Sequence, residues 1–314
     1  MKKTKTVKIQ KNQRLYAFSS DFRRNKHLYF MMLPVMVFFI LFCYLPMYGA
    51  LIAFQDYSPI KGILGSKWVG FKHFTNFMTS PSFGVIFMNT IKISVSTLIF
   101  GFPAPIILAL LMHEIRNKKY LKITQNITYL PHFISLVVVC GLVKEFTKSD
   151  GLIGNIVSMC GGTPITLLNY PQNFIPVYVI SNIWQEVGWG SIIYLAALTG
   201  IDEQLYEAAK IDGAGRFQQM IHVTIPGIVP TIIIMLTLRM GQMLNVGYEK
   251  ILLLQNDAIM SSSDVISTYV YRRGLVDLNW SFSSAVGLFN SVINFALLIF
   301  ANTLSRKLQG SSLW

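Results

Sequence analysis

Charge is scarce in this sequence, and acidic charge is the scarcer. Only 14 Asp and Glu stand against 27 Lys and Arg among 314 residues, and charged residues make up 13% of the chain. A soluble globular domain carries about 25% charged residues, so this composition excludes an ordinary soluble fold. Cysteine is sparse too. Cys43, Cys140 and Cys160 fall at no metal-ligand or disulfide-framework spacing, and the first two lie inside apolar runs, where cysteine behaves as a small hydrophobe. No Gly-Lys dipeptide occurs anywhere, which excludes the glycine-rich phosphate loop of a P-loop ATPase. Histidine offers no catalytic set either. His113 and Glu114 are adjacent and point to different helix faces, and His132 is isolated, so acid-base chemistry lacks a paired site.

Apolar side chains are what the sequence has in abundance: 53% of residues are hydrophobic and the mean hydropathy is +0.49. Six runs carry them, at 28–54, 90–112, 127–143, 175–199, 227–248 and 285–304. Crossing about 30 Å of hydrocarbon takes about 20 helical residues, so each run reads as a span, the third being the shortest. Pro34 and Pro46 in the first run, and Pro103 and Pro105 in the second, are expected to kink their helices. The first run begins too late and runs too long for a cleaved signal segment, and it reads as a retained span. The chain is thus expected to be an all-α integral membrane protein with six transmembrane helices.

Orientation follows from the basic residues, which are retained on the cytoplasmic side of span ends. Nine lie in the amino-terminal tail, and with those at 113–126, at 200–226 and after Leu304 they make 17, against eight in the alternate segments. Both termini are therefore placed in the cytoplasm, and an even span number agrees. The net charge of +13 is accounted for by this topology and not by a nucleic-acid partner. The organisation is a basic cytoplasmic tail at 1–27, a six-helix membrane domain at 28–304 with a cytoplasmic loop at 200–226, and a short cytoplasmic tail at 305–314. In the outer segment 55–83, the spacing of Trp68, Phe71, Phe74 and Phe77 predicts one face of a short helix lying on the membrane, as an anchor or a docking surface.

The loop at 200–226 has a legible local structure. Asp202 suits an N-cap for a helix ending at Ile211, Gly213 and Gly215 permit a sharp turn, Phe217 and Ile221 share a face of the next helix, and Pro226 suits a first helical turn. Geometry alone leaves it open whether this knob is a connector or a docking element. Its residues resemble a known signature: Glu207, Ala208, Ala209, Gly213 and Pro226 match the loop of permease subunits of ATP-binding-cassette importers, with Val223 and Ile225 standing where that signature has Ile and Leu. Further stretches resemble the carbohydrate permeases of the lipoprotein-linked, polysaccharide-type branch. They are Tyr44-Leu-Pro-Met-Tyr-Gly49, Trp68-Val-Gly-Phe71, Tyr129-Leu-Pro-His-Phe-Ile-Ser135, Gly188-Trp-Gly190, Ile193-Tyr-Leu-Ala-Ala197, Asp264-Val-Ile-Ser-Thr-Tyr-Val-Tyr271 and Ser311-Ser-Leu-Trp314.

The resemblance implies the transmembrane domain of a type I importer of sugars, most plausibly oligosaccharides. It implies coupling to an ATPase through Glu207, Ala208, Ala209, Asp212, Gly213, Phe217 and Pro226. The implied partners are a second homologous permease in a pseudo-twofold pair, a dimer of cytoplasmic ATPase subunits and an extracellular solute-binding lipoprotein, all at the plasma membrane of a bacterial-type cell. This chain would bind no cofactor itself, ATP and Mg2+ belonging to the ATPase.

Ionisable groups inside spans are costly and mark functional candidates. Glu186 and Arg239 are central in their spans and are expected either to pair, with each other or with the partner permease, or to touch substrate. Sugars are gripped by aromatic faces and by amide or carboxylate groups. Asn182, Trp184, Gln185, Glu186, Trp189, Arg239, Gln242, Asn245, Asn290 and Asn294 are therefore candidates for a substrate pathway, interhelical hydrogen bonding being the alternative role. The competing function is an ion-coupled secondary transporter, which would need an ion site built from broken helices.

Overall fold

The computed structural model describes residues 24–309. The greater part of the amino-terminal tail and the ending Ser311-Ser-Leu-Trp314 lie outside them. The chain divides into two compact units, Met1–Val69 and Gly70–Trp314.

In the first unit one long helix, α1 (Lys26–Phe54), presents apolar side chains in every direction and buries almost none of them. That is the pattern of a helix whose solvent is lipid. Its backbone passes through a π-helical turn at Phe39–Tyr44 just before Pro46. Proline removes a donor and crowds the carbonyl one turn back, and a wider turn relieves both. Two short antiparallel strands follow, β1 (Gln55–Asp56) and β2 (Lys67–Trp68), with Gln55 opposite Trp68, and the Trp68 ring stacks on Phe54 at 5.6 Å. Trp68 is thus a strand residue and not part of the surface helix expected at 55–83.

The second unit contains α2 (Lys72–Met78), α3 (Phe83–His113), α4 (Lys118–Tyr129), α5 (Leu136–Phe146), α6 (Leu152–Met159), α7 (Pro171–Leu198), α8 (Glu203–Ile211), α9 (Arg216–Met240), α10 (Tyr248–Leu254), α11 (Ile266–Tyr271) and α12 (Trp280–Gln309). The surface helix expected near Phe71 is only α2. Its Phe77 points inward, into a ring cluster with Phe83, Phe282 and Phe289, while Phe71 is exposed. The same proline device recurs twice: π-helical turns at Thr97–Gly101 and Met220–Thr224 precede Pro103 and Pro226.

Among the described residues four helices are long and apolar enough to cross a membrane: α1, α3, α9 and α12. The third run departs from expectation, since 127–143 is not one helix. It is α4 extended by a tight turn at Leu130–Phe133 and then α5, bent by 100°. The cause is local. Ile134 and Ser135 are extended, and the Ser135 hydroxyl caps α5 by accepting from the Val138 N–H, so a new helix starts where a straight one would have continued.

The central helix is α7, 28 residues or about 42 Å long at 1.5 Å per residue. It falls short of the apolarity of the four spanning candidates, and its buried residues, which run from Phe174 to Leu198, pack against α3, α4, α9 and the outer loops. Gly188 allows the closest approach. A Cβ there would stand 2.0 Å from the Thr128 carbonyl oxygen, so the α7 backbone lies directly against the last turn of α4. Side-chain bonds tie the outer segments to the bundle: the Asn89 amide donates to the Ser261 and Asp264 carbonyls, and the Thr90 hydroxyl accepts from the Ile266 N–H.

Candidate functional site

A cavity of about 620 Å3 opens between α3, α7, α9 and α10. It holds six of the ten residues expected on a substrate pathway: Asn182, Gln185, Glu186, Trp189, Arg239 and Asn245. Four of the six come from α7, where spacings of three and four residues put Asn182, Gln185, Glu186 and Trp189 on one face. Trp184 is on another face of α7 and lines a separate apolar groove with Phe146 and Ile180. Gln242 is exposed and does not line the cavity. Asn290 and Asn294 sit behind the wall, where their amides donate to the Asn245 Oδ1 at 2.9 and 3.0 Å, and Asn294 Oδ1 accepts the Leu244 N–H. They orient Asn245, and this is the interhelical bonding that was the alternative for them.

Glu186 and Arg239 both line the cavity but do not pair. The Glu186 Oε2 lies 2.9 Å from His132 Nδ1, and the imidazole stacks on Trp189 at 4.6 Å with the planes 3° apart. His132 reaches this position because the turn at Leu130–Phe133 breaks the third run beside Gly188. The Arg239 guanidinium has no hydrogen bond or ion pair among the described residues.

Lys250 is a site residue that no sequence motif singles out. It is buried on the cavity wall, with its Nζ 3.5 Å from Gln185 Oε1 and 5.6 Å from the centre of the Tyr178 ring. Burial pushes its ammonium down to about 8, opposed by the nearby Glu186 carboxylate. Ser94 also lines the cavity, and its buried Oγ has no hydrogen-bond partner among the described residues. The wall therefore offers two cations, one carboxylate already engaged, several amides, a free hydroxyl and aromatic rings.

The loop at 200–226 folds as its sequence specifies as far as Gly213, but Pro226 opens no new helix: it stands inside α9, behind the π-helical turn at Met220–Thr224. The Asp202 carboxylate accepts the Gln204 N–H at 3.0 Å and opens α8, which ends at Ile211. Gly213 has φ +76°, a left-handed conformation that other residues adopt only at a cost. Gly215 is extended and needs no such freedom; its N–H is held by Gln218 Oε1 at 2.8 Å. A bond of 3.0 Å between the Tyr206 and Thr224 hydroxyls braces α8 against α9. Glu207, Ala208, Asp212, Phe217 and Pro226 are exposed, Ala209 half so, and a concavity of about 330 Å3 lies between the two arms, lined by Ala209, Asp212, Gly213 and His222. Ile211, 86% exposed, belongs with this surface; its one sequence signal was an apolar residue with no helix left to bury it.

A bundle of apolar helices around a polar cavity, with a rigid knob carrying exposed apolar groups, defines a membrane transport protein. The chain belongs to the family of binding-protein-dependent transport system inner membrane components, which matches residues 27–310. It is 44% identical over 285 residues to the polygalacturonan/rhamnogalacturonan transport system permease protein YteP of Bacillus subtilis, covering 90% of this chain and 89% of that one. It is also 42% identical to the protein LplB of the same organism, covering 93% and 92%. A permease chain of a bacterial alginate ABC transporter, crystallised with its alginate pentasaccharide-bound periplasmic protein, superposes with TM-score 0.86 at 42% identity over 94% of this chain and 99% of that one. The chain is thus the permease component of an ABC import system, a non-catalytic membrane subunit that leaves ATP hydrolysis to a separate polypeptide.

Proposed function

We propose that this chain forms one half of a permease pair that imports acidic oligosaccharides. The observation that carries the substrate class is the charge balance of the cavity. Arg239 lacks a counter-ion, Lys250 is buried beside a neutral amide, and the one carboxylate on the wall, Glu186, is held by His132. A sugar chain bearing carboxylates supplies the missing counter-charge, whereas a neutral one leaves the buried Lys250 ammonium and the exposed Arg239 guanidinium without one. The acidic polysaccharides named for two of the relatives, polygalacturonan and alginate, agree with that charge.

In this reading residues 28–304 act as one permease domain that crosses the bilayer six times, through α1, α3, the bent pair α4 and α5, α7, α9 and α12, with the tails at 1–27 and 305–314 in the cytoplasm. The lopsided distribution of Lys and Arg supports this orientation. Glu207, Ala208, Ala209, Asp212, Gly213, Phe217 and Pro226 then dock on a cytoplasmic ATPase, of which two copies serve this permease and a homologous partner. The chain binds no cofactor, ATP and Mg2+ being held by the ATPase. An extracellular binding lipoprotein delivers substrate, and closure of the ATPase pair, transmitted through the knob, switches the cavity between its outward and inward openings.

The test is uptake of tetragalacturonate and of its fully methyl-esterified form into proteoliposomes holding the whole complex. A preference for the acid that Arg239→Gln removes supports the reading. Equal uptake of both forms by the wild type refutes it.

A further inference from the structure

Glu186 is a puzzle for a cavity that takes anions: a carboxylate on the wall, its side chain 43% exposed, should repel a uronate carboxylate. The structure holds this carboxylate in a particular way. His132 stands behind the wall and is absent from the cavity lining. Its Nδ1 lies 2.9 Å from Glu186 Oε2, and its ring cannot swivel freely because it lies flat on Trp189, 4.6 Å away, with Phe133 packed edge-on against both rings. The backbone on either side is fixed as well: the turn at Leu130–Phe133 precedes the extended Ile134, and α4 abuts α7 at Gly188.

We infer that His132 is a specificity-positioning residue: its Nδ1–H holds the Glu186 carboxylate back against the broken third run, which keeps that negative charge from facing an acidic substrate. This rests on the acidic-oligosaccharide reading above. Released from His132, the Glu186 side chain turns further into the cavity, whose cations are Arg239 and Lys250. There it competes with the substrate for both cations. Loss of His132 thus weakens acidic substrates through Glu186.

The two amide replacements of histidine separate this role from simple packing. Asn places its N–H where Nδ1 stands and Gln places it nearer Nε2, so His132→Asn should keep the bond and His132→Gln lose it. The experiment measures KM and kcat for tetragalacturonate uptake, with its methyl ester in parallel, in proteoliposomes of the complete complex. The variants are His132→Gln, His132→Asn, Glu186→Gln and His132→Gln/Glu186→Gln, each checked for assembly. His132→Gln is expected to raise KM for the acid about tenfold, about 1.4 kcal/mol, with little change for the ester. His132→Asn should stay within about twofold of wild type, and adding Glu186→Gln to His132→Gln should return KM to that of Glu186→Gln alone. A double variant as poor as His132→Gln alone overturns the inference, as does a wild-type KM in His132→Gln. If His132→Gln does not assemble, His132→Asn with a tenfold higher KM overturns it equally. Indifference of the wild type to esterification overturns the acidic-substrate reading itself, an outcome distinct from a failed rescue.

Discussion

Replacing Gly188 by alanine should separate α7 from α4 and spoil transport without removing any functional side chain. A Cβ at Gly188 would stand 2.0 Å from the Thr128 carbonyl oxygen and 2.4 Å from its carbon, whereas ordinary contact begins near 3.4 Å. The obstructing atoms are backbone, so no rotamer change gives way, and the helices must part by about 1.4 Å, the difference between 3.4 and 2.0 Å. Overpacking of this kind costs about 1–3 kcal/mol or more. It also carries His132 away from Glu186: a bond of 2.9 Å lengthened by that displacement exceeds about 4 Å, beyond hydrogen-bond reach. Thermal unfolding of the purified permease should show a lowered midpoint, and uptake of an acidic oligosaccharide should fall at least tenfold while membrane insertion persists. Wild-type unfolding and uptake in Gly188→Ala would refute the claim that this contact sets the spacing.

Three other outcomes are expected. Asp202→Ala removes the cap on the Gln204 N–H, costing about 1 kcal/mol; ATPase stimulation by loaded binding protein should drop and Asp202→Asn should largely retain it. Asp264→Asn weakens the bonds of 2.6 and 3.3 Å from Arg272 and leaves a half-buried guanidinium without its counter-ion, so the midpoint of unfolding should fall by an amount corresponding to about 1–3 kcal/mol, more than for Asp277→Asn at the exposed Arg273 pair. Lys250, lowered to about 8 by burial, should lose its charge as pH rises through 8. KM for an acidic oligosaccharide should climb between pH 7 and pH 9, and Lys250→Gln should show a higher KM that no longer changes there. The stability effect has the opposite sense: burying the charged form costs stability below pH 8, and that cost is relieved as pH rises toward the ordinary lysine value of 10.5.

The features that the sequence determined by itself are those set by neighbours along the chain. Long uncharged runs force lipid contact wherever they fold, and the cap at Asp202, the left-handed turn at Gly213 and the π-helical turn before Pro226 each depend on a few adjacent residues. The break in the third run belonged to this class too, through Pro131 and the capping Ser135, but the apolarity of 127–143 outweighed those short signals. What only the tertiary structure decided is which face of a helix looks inward and which distant groups meet. Gln185 and Trp184 are neighbours in sequence, yet one lines the cavity and the other an apolar groove on the exposed face of α7 with Ile180, because the packing of α3, α9 and α10 selects which side of α7 looks inward. Lys250 meets Gln185 across 65 positions and His132 meets Glu186 across 54. No local pattern encodes such pairs. They depend on how closely helices pack, and here that distance is set by one glycine against one carbonyl.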